Sequence, residues 1–416
     1  MVARRFMASH SDMVDLFYAV PEFLPPWRLD VGHLYSKQLR VRGVVVTWSM
    51  WRQEAGPCAR TSWEEQEVFV PLSFGRDTMV RRLLSRVARA ACEIPLFFRL
   101  LFGRRYTVIQ ARDVRYLFAL LGWLAARLRG AKFVFWLSYP FPEHYLDWAA
   151  RSRGLGRLVR MLEGRLTSRF LYRWLLHRAD HVFVQSEQMK RDVASYGIPE
   201  AKMTPVPMGV PPSLLEWRRK NAVAVMPGRI VYVGTLARVR RLETIVEAFA
   251  AVAARRPDAT LLIVGDGDLP GEKVFLEDEV RRRGVVDRVQ FTGFVPMEEV
   301  WRYVASAAVC LSPFYPTFVL RSTSPTKINE YLALGRPVVA NDHPEQRTVL
   351  AESGAGYCVE WGSMHFAEAI LKLLDDPAAA EAMGTRGPAW VAAHRTYDRI
   401  ADRIMGKYLE IVGAKP

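Results

Sequence analysis

Cysteine is scarce in this chain: Cys58, Cys92, Cys310 and Cys358 stand far apart in 416 residues, with no C-x-x-C pair. Such spacing argues against a disulfide scaffold or a zinc ribbon and suits a reducing compartment. Long apolar runs are missing too. The best stretches, 94–102 and 117–126, fall short of the ~18 residues a membrane span needs, and Arg99 interrupts the first. Near the start, Arg4 and Arg5 are followed by Ser9, His10, Ser11, Asp12 and Asp15, which leaves no signal-peptide core. The expected location is the cytoplasm. Glycine (27) and proline (25) are too few and too scattered for a low-complexity chain. No Asp-x-Asp metal motif of the kind hard cations want is present, since Asp266-Gly267-Asp268 reads as a structural turn after a strand. No metal or other cofactor is expected.

What is present is globular: 50% hydrophobic, 12% aromatic and 24% charged residues, in a length that suits two or three domains. The net charge of +15 is unevenly placed. Residues 1–212 hold 32 basic and 18 acidic side chains, so nearly all the excess belongs to the first half. Within it, segment 76–132 mixes 13 basic residues with Leu83, Leu84, Val87, Ile94, Leu96, Phe97, Phe98, Leu100 and Phe102, and segment 151–178 mixes eight arginines with Leu158, Val159, Leu162, Phe170, Leu171, Trp174 and Leu175. Basic helices with leucine and aromatic faces suit an anionic membrane surface, where each Lys or Arg contributes ~1 kcal/mol. The expectation is peripheral association with the inner face of the cell membrane. No nucleic-acid-binding signature appears, and no nucleic-acid partner is expected.

Short β-branched runs alternate with helical patterns along the whole chain, which predicts an α/β fold of two doubly wound, Rossmann-like domains. The segment Val206–Asn221, punctuated by Pro205, Pro207, Gly209, Pro211 and Pro212, marks the boundary, giving domains of 1–212 and 213–395. Ligands are expected in a cleft between them, at the carboxyl ends of the strands.

The most informative stretch is Arg321-Ser322-Thr323-Ser324-Pro325-Thr326-Lys327-Ile328-Asn329-Glu330. Ser324 reads as an N-cap and Pro325 as the first helical residue. The free N–H groups of Thr326 and Lys327 then make an anion site, to which Lys327 adds a full charge. Glu330 lies one turn deeper on the same face, within reach of a ribose whose diphosphate sits at the helix tip. A second basic loop, Gly234-Thr235-Leu236-Ala237-Arg238-Val239-Arg240, follows a predicted strand. Gly265 and Gly293 end the next two strands, so three successive strand ends carry glycine where backbone must approach a ligand or turn tightly.

These motifs resemble those of the retaining, family-4-like GT-B glycosyltransferases. The likeness is strongest over 230–395, through VGTLARVRRLETIVEAF, LLIVGDGD, SPTKINEYLALGRPVVA and GAGYCVEW, and extends more weakly to HVFVQSEQMKRDVASYGIP. The resemblance implies a nucleotide-sugar donor in the second domain, with Glu330 on the ribose and Arg240 and Lys327 beside the diphosphate. It further implies metal-independent transfer with retention, to a hydroxyl of a lipid-linked or glycan acceptor held by the first domain, and a final helix (396–416) returning to that domain. Ser322 stands where the family often has a second glutamate, eight positions before Glu330; Thr235 stands in place of a common arginine, and Ala308 in place of a common aspartate.

In the first domain the strand ending Ser138-Tyr139-Pro140-Phe141-Pro142-Glu143-His144 is expected to face the cleft. Glu143 or His144 would assist the acceptor hydroxyl, with Ser138 and Tyr139 beside them. Arg112 and Asp113 are a second acceptor-side pair. Glu345, after the strand that follows the Glu330 helix, is a candidate sugar contact. Rival readings are a nucleotide-sugar epimerase on the same architecture, a non-catalytic nucleotide- or membrane-binding protein, and a basic nucleic-acid binder.

Overall fold

The computed structural model describes residues 13–75 and 78–413; the Arg4–Asp12 stretch lies outside them. The chain divides into two compact units, one running through Pro207 and including the segment from Tyr397 onward, the other Met208–Thr396.

The first unit is built on an eight-stranded sheet: β1 (Val14–Phe23), β2 (Val44–Trp51), β3 (Ala59–Trp63), β4 (Gln66–Val70), β5 (Val108–Arg112), β6 (Lys132–Leu137), β7 (His181–Val184) and β8 (Met203–Pro205). Their order is β3-β4-β2-β1-β5-β6-β7-β8. Every pairing is parallel except β3–β4. Strands buried on both faces read as continuous apolar runs, as in Leu16–Val20 and Phe133–Leu137. β3 is the strand that sequence patterning misses: Ala59-Arg60-Thr61-Ser62-Trp63 is an exposed edge with no apolar run.

The helix Tyr397–Val412 belongs to this unit and buries Tyr397, Ile400, Ala401, Ile404 and Tyr408 in its core. The Tyr408 hydroxyl donates to Gln110 Oε1 at 2.6 Å, and Gln110 Nε2 donates to the Tyr35 hydroxyl at 3.0 Å. Satisfied polar links between residues 298 apart in sequence fix that helix's register on the sheet. Two cysteines meet here as well. Cys58 and Cys92 are free thiols with sulfurs 2.9 Å apart, so they are neighbours despite their separation in sequence. Burial, and then the Cys58 sulfur, push the Cys92 thiol up to about 11.

The second unit holds six parallel strands: β9 (Arg229–Val233), β10 (Thr260–Val264), β11 (Val289–Phe291), β12 (Val309–Ser312), β13 (Val338–Asn341) and β14 (Gly356–Val359). Their order, β11-β10-β9-β12-β13-β14, reverses direction between β9 and β12. That reversal is the switch point of a doubly wound sheet, where loops diverge and leave a crevice at the carboxyl edge. Two apolar clusters cover the faces, one around Ile245, Phe249, Phe366 and Ile370, the other around Ile328, Tyr331, Leu332 and Val391. Each such buried side chain contributes ~1.5–3 kcal/mol.

Candidate functional site

At the switch point the three glycines sort into different tasks. Gly234 follows β9 with φ +147°, and a Cβ there would lie 3.1 Å from Lys327 Nζ and 3.0 Å from the Tyr232 hydroxyl. Gly265, after β10, has φ +128°, and a Cβ on it would sit 2.3 Å from the Gly234 carbonyl oxygen. Its N–H donates to the Gly293 carbonyl at 3.1 Å. Gly265 and Gly293 therefore let neighbouring loops touch, while Gly234 keeps the space beside the lysine clear.

The helix Thr326–Ala333 begins one residue later than the sequence suggests. Pro325 occupies the cap position and no side chain caps the first turn. Ser324 is turned elsewhere: its hydroxyl accepts from Met208 N–H at 2.9 Å and donates to Glu345 at 3.5 Å. The first-turn amides of Thr326 and Lys327 therefore lack the serine cap expected for them, which leaves them to an incoming acceptor. Tyr331 anchors this helix to β9 by accepting from Val233 N–H at 2.8 Å, and Asn329 Nδ2 donates to the Met208 carbonyl at 3.0 Å.

Lys327 is only 8% exposed. Its ammonium donates to the Tyr232 hydroxyl at 3.2 Å and lies 5.4 Å from the Phe314 ring centroid. Burial, reinforced by the Arg240 charge and opposed by Glu330, holds its pKa well below the usual lysine value. Burial raises the pKa of the same tyrosine hydroxyl and the Arg240 charge opposes that rise; the Arg240 guanidinium lies 5.9 Å from the Phe314 centroid. Tyr232 in turn donates to the Thr235 carbonyl at 3.2 Å. Glu330, half-buried one turn beyond Lys327, is pushed up to about 7 by burial, with Lys327 pulling the other way. Two cations, uncapped helix amides and an open backbone suit a multiply charged anion, and a carboxylate one turn deeper suits a diol.

The structure thus brings Gly234, Thr235, Arg240, Thr326, Lys327 and Glu330 together. Tyr232 and Phe314, which position the two cations, are absent from the residues that sequence pattern singles out; a tyrosine one residue before the end of β9 is the signal that could have found the first. Glu345 is buried and its carboxylate accepts from Arg395 at 3.0 Å, so it is engaged in a local ion pair. Ser322 is buried, and its hydroxyl points to the Val319 carbonyl at 3.4 Å. Among the described residues no group of three or more His, Cys, Asp or Glu is placed to hold a metal ion.

The residues singled out in the first unit lie at the carboxyl ends of β5 and β6, and each is committed to a local network. Arg112 is fully buried, with ion pairs to Asp30 at 2.6 Å and Asp113 at 3.2 Å. Asp113 holds a left-handed backbone (φ +49°) and accepts from both the amide and the hydroxyl of Ser138, at 2.7 and 2.5 Å. Glu143 accepts from the hydroxyls of Tyr172 and Tyr196 at 2.9 and 3.0 Å. His144 Nδ1 lies 3.2 Å from the Tyr139 hydroxyl, and burial lowers its pKa.

Solved structures share this architecture across nearly the whole chain. Sucrose-phosphate synthase from Thermosynechococcus elongatus aligns with a TM-score of 0.68 at 19% identity, covering 97% of this chain and 100% of that one. Anabaena HepE in complex with UDP-glucose aligns with a TM-score of 0.65 at 15% identity, covering 95% and 99%. The fold is GT-B, with two Rossmann-like domains. Residues 33–209 match the family described as glycosyl transferase 4-like domain, and residues 227–376 the family described as glycosyl transferases group 1. The chain belongs to the group 1 glycosyltransferases.

One curated relative is an alpha-D-kanosaminyltransferase from Streptomyces kanamyceticus, 28% identical over 184 residues (44% of this chain, 45% of that protein). Another is the GDP-mannose-dependent alpha-(1-6)-phosphatidylinositol monomannoside mannosyltransferase of Mycobacterium tuberculosis, 28% identical over 233 residues (53% and 59%). The chain spans about half the length of these relatives.

Proposed function

We propose that the protein is a glycosyltransferase that moves a sugar from a nucleoside-diphosphate donor to a hydroxyl of a lipid-linked or glycan acceptor, without a metal ion and with retention of configuration. The observation that carries this reading is the Lys327 ammonium, buried at the switch point between Gly234, Tyr232 and an uncapped helix N-terminus. Cleavage of the sugar–phosphate bond develops negative charge on the departing nucleotide. Fixed cations in a water-poor site stabilise that charge as it forms, and this task falls to Lys327 and Arg240. Glu330 orients the nucleotide through the ribose hydroxyls. Donor use is supported by the UDP and UDP-glucose complexes of Anabaena HepE and by the GDP-mannose dependence in the mycobacterial relative's name. Retention is drawn from the family resemblance.

The lipid-linked acceptor and a peripheral place on the inner membrane face are supported by two helices of the first unit. Met79–Phe102 exposes Val80, Leu84, Val87, Ile94, Phe98 and Phe102, and Gly154–Phe170 exposes Leu155, Leu158, Val159, Leu162 and Leu166. Both repeats follow helical spacing, so each helix presents an apolar stripe to solvent, flanked by arginines. Among the described residues no helix is long and apolar enough to cross a membrane.

The test is calorimetric titration with UDP, GDP and ADP, each with and without EDTA. Selective binding of one nucleotide, unchanged by EDTA and weakened at least tenfold by Lys327→Ala, is the expected result. Absence of binding to all three, or binding indifferent to Lys327, would overturn the reading.

A further inference from the structure

The first unit contains a cavity of about 830 Å³ where β1 and β2 end at Phe23 and Trp51, walled on two sides by the helices Met79–Phe102 and Gly154–Phe170. Its size is in the range of small-molecule sites and far exceeds one inorganic anion. Its lining is strongly cationic. Arg82, Arg86 and Arg89 come from successive turns of one helix, and Arg160 comes from the other. Arg89 lies 4.4 Å from the Trp51 ring centroid and Arg160 3.6 Å from that of Trp148. Among the described residues Arg82, Arg86 and Arg160 form no ion pair with a carboxylate; Arg82 reaches only the Thr78 carbonyl, at 3.4 Å, and Arg160 the Ser152 hydroxyl.

Of the two lining carboxylates, Glu93 is already taken by Arg115 at 2.5 Å. That pair leaves Glu93 Oε2 and Arg115 Nε buried without a partner, in residues only 7% and 5% exposed. Buried polar atoms without partners are costly and are normally met by a ligand or water. The same cavity is lined by the exposed Leu155 and Val159, members of the apolar stripe on their helix. Guanidinium groups are suited to bind phosphate oxygens in a planar, forked geometry. One opening therefore joins Arg82, Arg86 and Arg160, without carboxylate partners among the described residues, to solvent-facing hydrocarbon.

The geometry points to a phosphate-bearing amphiphile as the ligand of this cavity, with its phosphate between Arg82, Arg86 and Arg160 and its hydrocarbon chain along Leu155 and Val159. The inference rests on the acceptor half of the transferase reading, yet its readout needs neither donor nor transfer. Failure of one therefore does not mimic failure of the other.

The experiment titrates the full chain with decyl phosphate below its aggregation threshold, decanol, inorganic phosphate, and vesicles containing an anionic lipid, following tryptophan fluorescence and heat. Decyl phosphate is expected to bind at least tenfold more tightly than decanol or inorganic phosphate. Arg82→Gln combined with Arg86→Gln should weaken it at least tenfold and leave nucleotide binding in the second unit intact. Val159→Trp, a change on an exposed helix face that fills the cavity from its apolar side, should also weaken it. Equal binding of decanol, equal binding of inorganic phosphate, binding seen with vesicles alone, or unchanged affinity in both variants would each overturn the proposal.

Discussion

The Lys327 ammonium donates to the Tyr232 hydroxyl at 3.2 Å while lying 4.3 Å from the centroid of the same ring. A cation held by a phenol and a π-face, with a second cation at Arg240, is positioned before any anion arrives. Because burial and Arg240 lower the Lys327 pKa, a diphosphate placed beside it must raise that pKa again. Nucleotide binding should therefore take up protons wherever the free Lys327 is partly deprotonated, and affinity should fall as pH rises through that range. Titrations in buffers of different ionisation enthalpy measure this directly. Equal apparent enthalpies in all buffers would mean that Lys327 does not change protonation on binding.

Gly234 is the site glycine whose absent side chain leaves room beside the Lys327 ammonium. A Cβ there would lie 3.1 Å from Lys327 Nζ and 3.0 Å from the Tyr232 hydroxyl, closer than van der Waals contact, and the residue must also adopt φ +147°. Gly234→Ala should cost roughly 1–3 kcal/mol of stability through the backbone conformation alone, and should weaken nucleotide binding at least tenfold. Thermal denaturation and calorimetry on the same preparation separate the two effects. A variant with wild-type nucleotide affinity would show that the space beside Lys327 is not used.

Glu330 couples stability to function with opposite signs. Its carboxyl is raised from 4.5 to about 7, chiefly by burial. The folded chain therefore binds more protons than the unfolded chain between those values, and this group's contribution to stability is lost as pH rises from 4.5 to 7. Glu330→Gln should be more stable than the wild type at pH 8, by about 1–2 kcal/mol after allowing for its partial exposure, with the difference vanishing near pH 4. The same change replaces a charged acceptor for the ribose hydroxyls and should weaken nucleotide binding by roughly 1.5–3 kcal/mol. A variant less stable at pH 8 and unimpaired in binding would place Glu330 outside the site.

Arg112 shows how a residue read as a cleft-edge candidate turns out to sit in a structural network. It is wholly buried between Asp30, Asp113 and the Trp136 ring. Although burial works to raise the Asp30 carboxyl, Arg112 and Arg28 hold it well below the usual range. Arg112→Met would leave Asp113 a buried charge without its cation and Asp30 with Arg28 alone, a loss of about 3–5 kcal/mol. Removing Asp30 as well, in Arg112→Met with Asp30→Asn, should restore part of that loss. Urea unfolding of the first unit, followed by its tryptophans, distinguishes the pair from additive damage.

Sequence pattern is informative wherever the controlling interactions are local. Apolar runs locate β1, β6, β9 and β10, and the Thr326–Glu330 spacing places a cation and a carboxylate one turn apart on a single helix. It is blind where partners come from distant segments. Asp30 meets Arg112 across 82 positions, Tyr232 meets Lys327 across 95, and Glu143 is claimed by tyrosines 29 and 53 residues on. β3 escapes it because an edge strand needs backbone pairing more than buried side chains. The Ser324 hydroxyl leaves its expected cap because Met208, 116 residues earlier, offers it an amide.

The helix Met79–Phe102 departs from the usual arrangement of a surface helix. It buries Ser85 and Glu93 beside Ala88, Leu96 and Leu100, and turns Val80, Leu84, Val87, Ile94, Phe98 and Phe102 to solvent. Gly154–Phe170 buries only Gly164. On the peripheral-membrane reading proposed above, water-facing hydrocarbon of this extent on two arginine-rich helices would be stabilised by insertion at an anionic headgroup layer, where apolar area and charge act together. Replacing Leu158, Leu162 and Leu166 with serine should abolish most pelleting with anionic vesicles at physiological salt. Replacing Arg157, Arg165 and Arg169 with glutamine should weaken pelleting by ~1 kcal/mol per residue, and more steeply at low salt, where screening is least. Neither set touches the switch-point residues, so nucleotide binding should be unchanged. Undiminished pelleting in both variants would assign these stripes to a protein partner instead of a membrane.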